Sequence, residues 1–286
     1  MHAVIRGGEY VFGVNDLYAD DSVGYTQASL IDGRHGSVHT GLTLNELTPG
    51  GEIRTHLHSF EEGFYVLDGT ATVTIGTRSI RCGPGDYASA KVGIPHSWYN
   101  TGDRSVRWLQ MSAPQPKPTG RERDTFFVRL PSLARTQPEP QDDGRPLSGH
   151  FDPSEIPPSA ERPPGLAPGV FLKWLIDEAS GAVHHRLLFI QYEPGANIAL
   201  HDHTFEESYF ILRGEVEATL DGRTYTVGPG SVVWTAVGCV HAFANVGSVP
   251  VQWLETFSPQ PPRENVFRFM AEWDRRGAAV ESEGGA

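Results

Sequence analysis

A chain of 286 residues is long enough for two domains of ordinary size. Its formal net charge of −12 argues against a nucleic-acid partner, which needs a basic face, and against an anionic membrane surface. No apolar run could span a bilayer, Met1–Tyr10 lacks the apolar core of a signal peptide, and only two cysteines occur, so a reducing cytoplasm is the expected compartment.

The 32 glycines and 22 prolines fit many short strands joined by tight turns. Residues 1–36 are polar and glycine-rich, with a candidate strand at Tyr10–Val14, and are expected to wrap against a barrel rather than form a domain. From about Asp32 strand candidates come in quick succession: Leu42–Leu47, Ile53–His58, Phe64–Leu67, Ala71–Ile75, Ser79–Cys82, Tyr87–Ala90, Ser97–Asn100 and Val106–Met111. Short β-rich runs bounded by Gly, Asn or Asp predict a sandwich or barrel.

The chemistry in this run lies in GGEIRTHLHSFEEGFYVLDG, residues 50–69. In a strand residues i and i+2 share a face, so His56 and His58 point into one space. Glu62 opens the returning strand, and His96 comes later, in GDYASAKVGIPHSWYN. Three imidazoles and one carboxylate suit a divalent transition metal, since imidazole takes Fe, Ni, Cu or Zn and carboxylate widens the choice to Mn. Chance histidines on a barrel wall are the competing explanation, and Glu61 is a rival to Glu62.

Ala113–Gly169 interrupts the pattern with prolines and Asp142-Asp143-Gly144, as a linker or lid does. Its apolar portion, Arg121–Leu130, is expected to dock on a barrel. The pattern then returns. His201, His203, Glu207, Gly214 and His241 each lie 145 positions after His56, His58, Glu62, Gly69 and His96. The second strand set is Val183–Tyr192, Ile198–His203, Tyr209–Leu212, Val216–Leu220, Thr224–Val227, Val232–Thr235, Ala242–Asn245 and Val251–Phe257. One HxH arises easily by chance; two four-donor patterns in identical register do not. Asn265–Arg275 reads as a short amphipathic helix and Glu281–Ala286 as a frayed end.

Both halves resemble the cupin superfamily, whose motifs run G-x5-H-x-H-x3-E-x6-G and G-x5-P-x-G-x2-H-x3-N. Gly50, His56, His58, Glu62 and Gly69 fit the first motif, as do Gly195, His201, His203, Glu207 and Gly214. Gly85, Gly93, His96 and Asn100 fit the second, as do Gly230, Gly238, His241 and Asn245, with Lys91 and Ala236 replacing the motif proline. The resemblance implies an all-β fold of two tandem cupin barrels (the double-stranded β-helix or jelly roll). The long Pro-rich linker and short C-terminal helix are added to these. The expected divisions are an N-terminal barrel at 1–113, a linker or lid at 114–169, a C-terminal barrel at 170–262, and a helix and tail at 263–286. It also implies one divalent transition metal per barrel, Fe(II) or Mn(II) ahead of Ni, Cu, Co or Zn, and a small-molecule partner. A homodimer is left open, because such barrels often pair through exposed sheet faces.

Differences between the repeats supply further candidates. Arg54, two residues before His56 and matched by Ala199, is expected to share the inward face and to grip a substrate carboxylate, with a surface ion pair as the alternative. Tyr209 corresponds to Phe64 and is a candidate for proton donation, or else a core aromatic. Phe64, Trp98 and Phe243 are candidate pocket walls. Cys82 and Cys239 read as small buried hydrophobes. The leading functional expectation is a dioxygenase acting on an anionic or chelating substrate. Non-redox decarboxylase, lyase, isomerase or hydrolase chemistry is the alternative, and a non-catalytic binding protein ranks third. Bicupin oxalate decarboxylases differ from this sequence in the register of their arginine and in a lid motif not found here.

Overall fold

Strand β3 (Gly41–His58) is the longest element, and the first half of the fold is built around it. The computed structural model of the chain describes residues 1–117, 124–129, 148–157, 167–262 and 266–270. Leu42, Leu44, Leu47 and Ile53 on β3 are buried, so the strand is anchored along its length. Around it lie β2 (Ser22–Ile31), β4 (Glu61–Asp68), β5 (Ala71–Ile75), β6 (Arg78–Cys82), β7 (Asp86–Ala90), β8 (His96–Tyr99), β9 (Val106–Ala113), β10 (Thr125–Phe127) and β11 (Ser148–His150). The order is β11-β7-β4-β9-β3-β8-β5-β6, with β2 and β10 also paired to β3. The N-terminal half of β3 pairs with β9, from Gly41↔Ser112 to Leu47↔Val106, and its C-terminal half pairs with β8, including His56↔His96. One strand thus serves both curled layers of a jelly roll.

The second half repeats this order with β1 (His2–Ile5), β12 (Val170–Ile176), β13 (Arg186–Tyr192), β14 (Asn197–Asp202), β15 (Glu206–Arg213), β16 (Val216–Leu220), β17 (Arg223–Val227), β18 (Val232–Thr235), β19 (His241–Ala244), β20 (Val251–Ser258) and β21 (Arg268–Phe269). Its sheets run β1-β18-β15-β20-β13-β12 and β17-β16-β19-β14-β21. Here β13 and β14 are separate strands where the first half has the continuous β3.

Two compact units result. One comprises Glu9–Pro157 and Trp174–Leu188; the other comprises Met1–Gly8, Pro158–Lys173 and Phe189–Ala286. Met1–Gly8 goes with the second unit because β1 pairs antiparallel with β18, His2 facing Thr235. Among the described residues no helix is long and apolar enough to cross a membrane.

The first core stacks Trp98 on Trp108 at 4.1 Å, with Phe64 edge-on to Trp98 at 4.7 Å. The second sets Phe243 5.7 Å from Trp253, which packs 4.6 Å from Tyr192. Asn100 and Asn245 close the barrels alike: each buried amide donates to two carbonyls, those of Leu47 and Arg104 or of Tyr192 and Val249. Gly69 and Gly214 end the first motif at positive φ, and a Cβ at either would strike the backbone of Ser105 or Pro250.

Two sequence expectations shift. The strand expected at Tyr10–Val14 is only a single bridge, Gly13↔Gln27, while the N-terminal region instead forms β1 and β2. The helix expected at 265–275 is preceded by strand β21 pairing with β14; Met270 is the first helical residue, and the rest of that span and the C-terminal tail lie outside the described residues. Most of the proline-rich stretch also lies outside them, but Thr125–Phe127 of its apolar portion docks on β3 as expected.

Candidate metal centres

In the first barrel β3 supplies His56 and His58 to one face, β4 supplies Glu62 and β8 supplies His96. All four are buried at 2% exposure, and their donor atoms lie within 4.8 Å of one another. The ring centroids of His56 and His96 are 4.2 Å apart, and His58 stands 5.0 Å from each. Glu62 Oε2 lies 3.0 Å from His58 Nε2 and 3.6 Å from His96 Nε2.

The hydrogen bonds at the backs of the rings decide what the fronts can do. His56 Nδ1 is 2.7 Å from Arg54 O, His58 Nδ1 is 2.9 Å from Thr125 Oγ1, and His96 Nδ1 is 3.0 Å from Ile94 O. The second barrel repeats this: His201 Nδ1 to Ala199 O at 2.6 Å, His203 Nδ1 to Val266 O at 2.6 Å, His241 Nδ1 to Cys239 O at 2.9 Å. Five of the six partners are carbonyls, which only accept, so those rings carry their proton on Nδ1 and turn an Nε2 lone pair inward. Nε2 of His58 and of His96 are buried without an aligned hydrogen-bond partner, although Glu62 is near. A cavity edged by such lone pairs and a carboxylate fits a divalent transition metal ion, and backbone-oriented imidazoles are the usual support for one.

Electrostatics agree. Burial, with His96 and His58 adding to it, pushes His56 well below its usual range, and burial lowers His58. Burial would lower His96 too, but Glu62 overrides it and raises that ring. Burial would raise Glu62; His96 and His58 more than offset it and hold the carboxylate well below its ordinary value. The centre is thus arranged around one positive charge beside Glu62, a place a cation takes in preference to a proton.

In the second barrel the donor atoms of His201, His203 and His241 converge within 4.8 Å. Glu207 reaches two of them, Oε1 3.3 Å from His203 Nε2 and Oε2 3.1 Å from His241 Nε2. It stands outside the mutual cluster because Oε2 is drawn aside: the Tyr209 hydroxyl donates to it at 2.6 Å and Thr235 Oγ1 at 3.4 Å. The same hydroxyl is 3.2 Å from His241 Nε2. Behind it Glu255, buried and raised well above the carboxylate range by burial and by Glu207, accepts from Trp253 Nε1 at 2.7 Å. The first barrel has Phe64, Ala90 and Gln110 at the positions of Tyr209, Thr235 and Glu255, and Gln110 Nε2 donates to Glu62 Oε2 at 2.9 Å.

Of the other candidates, Arg54 is not brought to the site. Its side chain is 57% exposed and sits 3.5 Å from Asp21 Oδ1 and 3.7 Å from Glu52 Oε1. A register shift between Ile53 and His56 breaks the strict alternation on which the inward placement rested. Phe64, Trp98 and Phe243 are buried core aromatics. The sequence reading missed the aromatic cover. Phe60 stacks on His58 at 4.2 Å and Phe205 on His203 at 4.5 Å. Phe127 lies 5.4 Å from His56, and Phe267 and Phe269 lie 4.9 Å and 5.7 Å from His201. Phe60 and Phe205 were findable, being 145 positions apart; the apolar run at Arg121–Leu130 signalled the docking of β10 but not that Phe127 would meet His56, and the two-residue β21 is too short to leave a signal.

The cupin domain family matches residues 43–112 and 188–257, once over each barrel. The chain belongs to the cupin superfamily. It is a bicupin, with a donor set in each barrel that fits one divalent transition metal ion. No curated protein sequence matches it. Among solved structures it is similar to the oxalate decarboxylase of Lactobacillus farciminis in complex with formate, at TM-score 0.67 and 17% identity, covering 94% of this bicupin and 89% of that chain. Variants of the Bacillus subtilis oxalate decarboxylase match at TM-scores of 0.65 and 0.64 with 19% and 20% identity, covering 94% of this chain and 80% of theirs. At identities this low, the structural likeness establishes a shared fold alone.

Proposed function

We propose that this bicupin is a metal-dependent enzyme that cleaves a carbon–carbon bond next to the carboxylate of a small chelating acid. The observation that carries this reading is the Tyr209 hydroxyl, 2.6 Å from Glu207 and 3.2 Å from His241 Nε2, in a centre whose first-barrel counterpart has only Phe64. The second barrel is therefore the reactive one. His201, His203, Glu207 and His241 would hold the ion there, and His56, His58, Glu62 and His96 the other. When bound, a divalent ion supplies Lewis acidity to a chelating carboxylate or carbonyl oxygen. Tyr209, its phenol kept protonated by burial and by Glu207, hands a proton to the carbon left electron-rich as carbon dioxide departs. Phe205, Phe267 and Phe269 keep water away.

The oxalate decarboxylases among the similar structures favour this reading over the dioxygenase, which gains no support from them. Manganese(II) centres are named for the Bacillus subtilis enzyme, and Mn(II) is the first choice here. The test is a screen of dicarboxylic and oxo acids with the manganese-loaded protein, measuring carbon dioxide and oxygen together. Carbon dioxide release without oxygen uptake is expected, and Tyr209→Phe should slow it about a hundredfold or more while both metal sites stay filled. Stoichiometric oxygen uptake, or full turnover by Tyr209→Phe, would overturn the proposal.

A further inference from the structure

Outside the donor sets of both barrel centres, a third group of metal-competent side chains converges. The imidazole of His2 on β1, the carboxylate of Asp221 at the β16–β17 hairpin tip and the thiol of Cys239 before β19 each bring a donor atom within 4.8 Å of the other two. The three come from separate parts of the second unit, and each is held in place. Asp221 takes a left-handed φ of 46° ahead of Gly222, as a tight hairpin tip requires. Its Oδ1 accepts from Val240 N at 3.1 Å, tying the tip to the Cys239 loop, and its backbone N donates to Val240 O at 2.7 Å. Oδ2 lies 3.1 Å from His2 Nδ1, and the Met1 amino nitrogen is 2.9 Å from the same oxygen. His2 is oriented by Tyr225, whose hydroxyl is 3.0 Å from Nε2. Cys239 is 1% exposed.

The duplication does not account for this cluster. The positions of Asp221 and Cys239 in the first barrel are Gly76 and Ile94. The donors also differ in kind from those of the barrels: one sulfur, one nitrogen and one oxygen, against imidazoles with a carboxylate. A thiolate excludes hard cations such as Ca²⁺ and Mg²⁺, and a Cys/His/Asp set with one open corner suits tetrahedral Zn²⁺. A thiol binds such a cation as the thiolate, so binding displaces a proton.

We propose that His2, Asp221 and Cys239 form a third cation site, of zinc class, that fastens the N-terminal strand to the second cupin barrel. The strand needs a fastening: β1 is four residues long, none fully buried, added at the edge of β18. A cation there joins residue 2 to residues 221 and 239 across almost the whole chain, and it stabilises the folded form by mass action.

The test uses the full-length protein stripped of metal and titrated with Co²⁺. Cobalt held by a thiolate shows a strong near-ultraviolet charge-transfer band, which the nitrogen and oxygen donors of the barrels cannot produce. The band is expected in the parent protein, in Cys82→Ser and in His203→Ala, and it is expected to vanish in Cys239→Ser. His2→Ala, on an edge strand that leaves the core untouched, should weaken Co²⁺ binding at this site at least tenfold. Zinc should slow amide exchange over His2–Ile5 in the parent and leave it unchanged in His2→Ala. A missing band, a band that survives Cys239→Ser, or one lost in His203→Ala would overturn the proposal, the last by assigning the thiol to the barrel ion.

Discussion

Glu61 Oε2 lies 3.0 Å from Nδ1 of His185, and each side chain is 1% exposed. The same carboxylate accepts from Val183 N at 3.0 Å and His184 N at 2.7 Å. Glu61 and Glu62 are neighbours on β4, so they face opposite sides of the sheet. One serves the metal centre, and the other latches Val183–His185 within the first unit.

Glu61→Ala removes the acceptor shared by Val183 N, His184 N and the buried His185 Nδ1. A loss of about 3 kcal/mol is expected, the range for breaking a buried pair. Chemical denaturation measures it. The metal content of the first barrel should stay unchanged, because Glu61 faces away from that centre.

Thr125→Val tests the strap over the first centre. Without its hydroxyl, Nδ1 of His58 loses its partner and the ring its fixed orientation. First-barrel metal affinity should fall about 10- to 100-fold, as is usual when such a support is lost. The second barrel should be unaffected, since there a backbone carbonyl, Val266 O, does the same work. Competition with a chelator, read separately for each site, resolves the two.

The substitutions Tyr209→Phe, Thr235→Ala and Glu255→Gln together give the second centre the first one's surroundings. If proton delivery resides in the second barrel, turnover should fall about 10²- to 10⁴-fold with metal occupancy kept. The reciprocal Phe64→Tyr should leave turnover unchanged. Single-turnover rates and metal analysis on the same samples make the comparison.

Removing the barrel ions with a chelator should lower the melting temperature. An ion present at a hundred times its dissociation constant contributes about 2.7 kcal/mol to the folded state. His58→Ala and His203→Ala should each abolish one barrel's share of the response, and calorimetry with and without chelator separates them.

The amino-acid sequence alone determined the β architecture, the duplication and the eight candidate donors, because both signals are local: strand alternation puts His56 beside His58, and the 145-residue offset repeats the arrangement at His201 and His203. Only the tertiary structure decided the rest. A register shift of β3 turned Arg54 to solvent, against strict alternation. Short segments far along the chain supplied Thr125, Phe127, Val266 and Phe267 to the histidines. The partner of Glu61 and the meeting of His2 with Asp221 and Cys239 also came from distant segments. Contacts across such separations depend on how curled sheets close on themselves, and a hydrophobic pattern records which face of a strand is buried without recording what it meets.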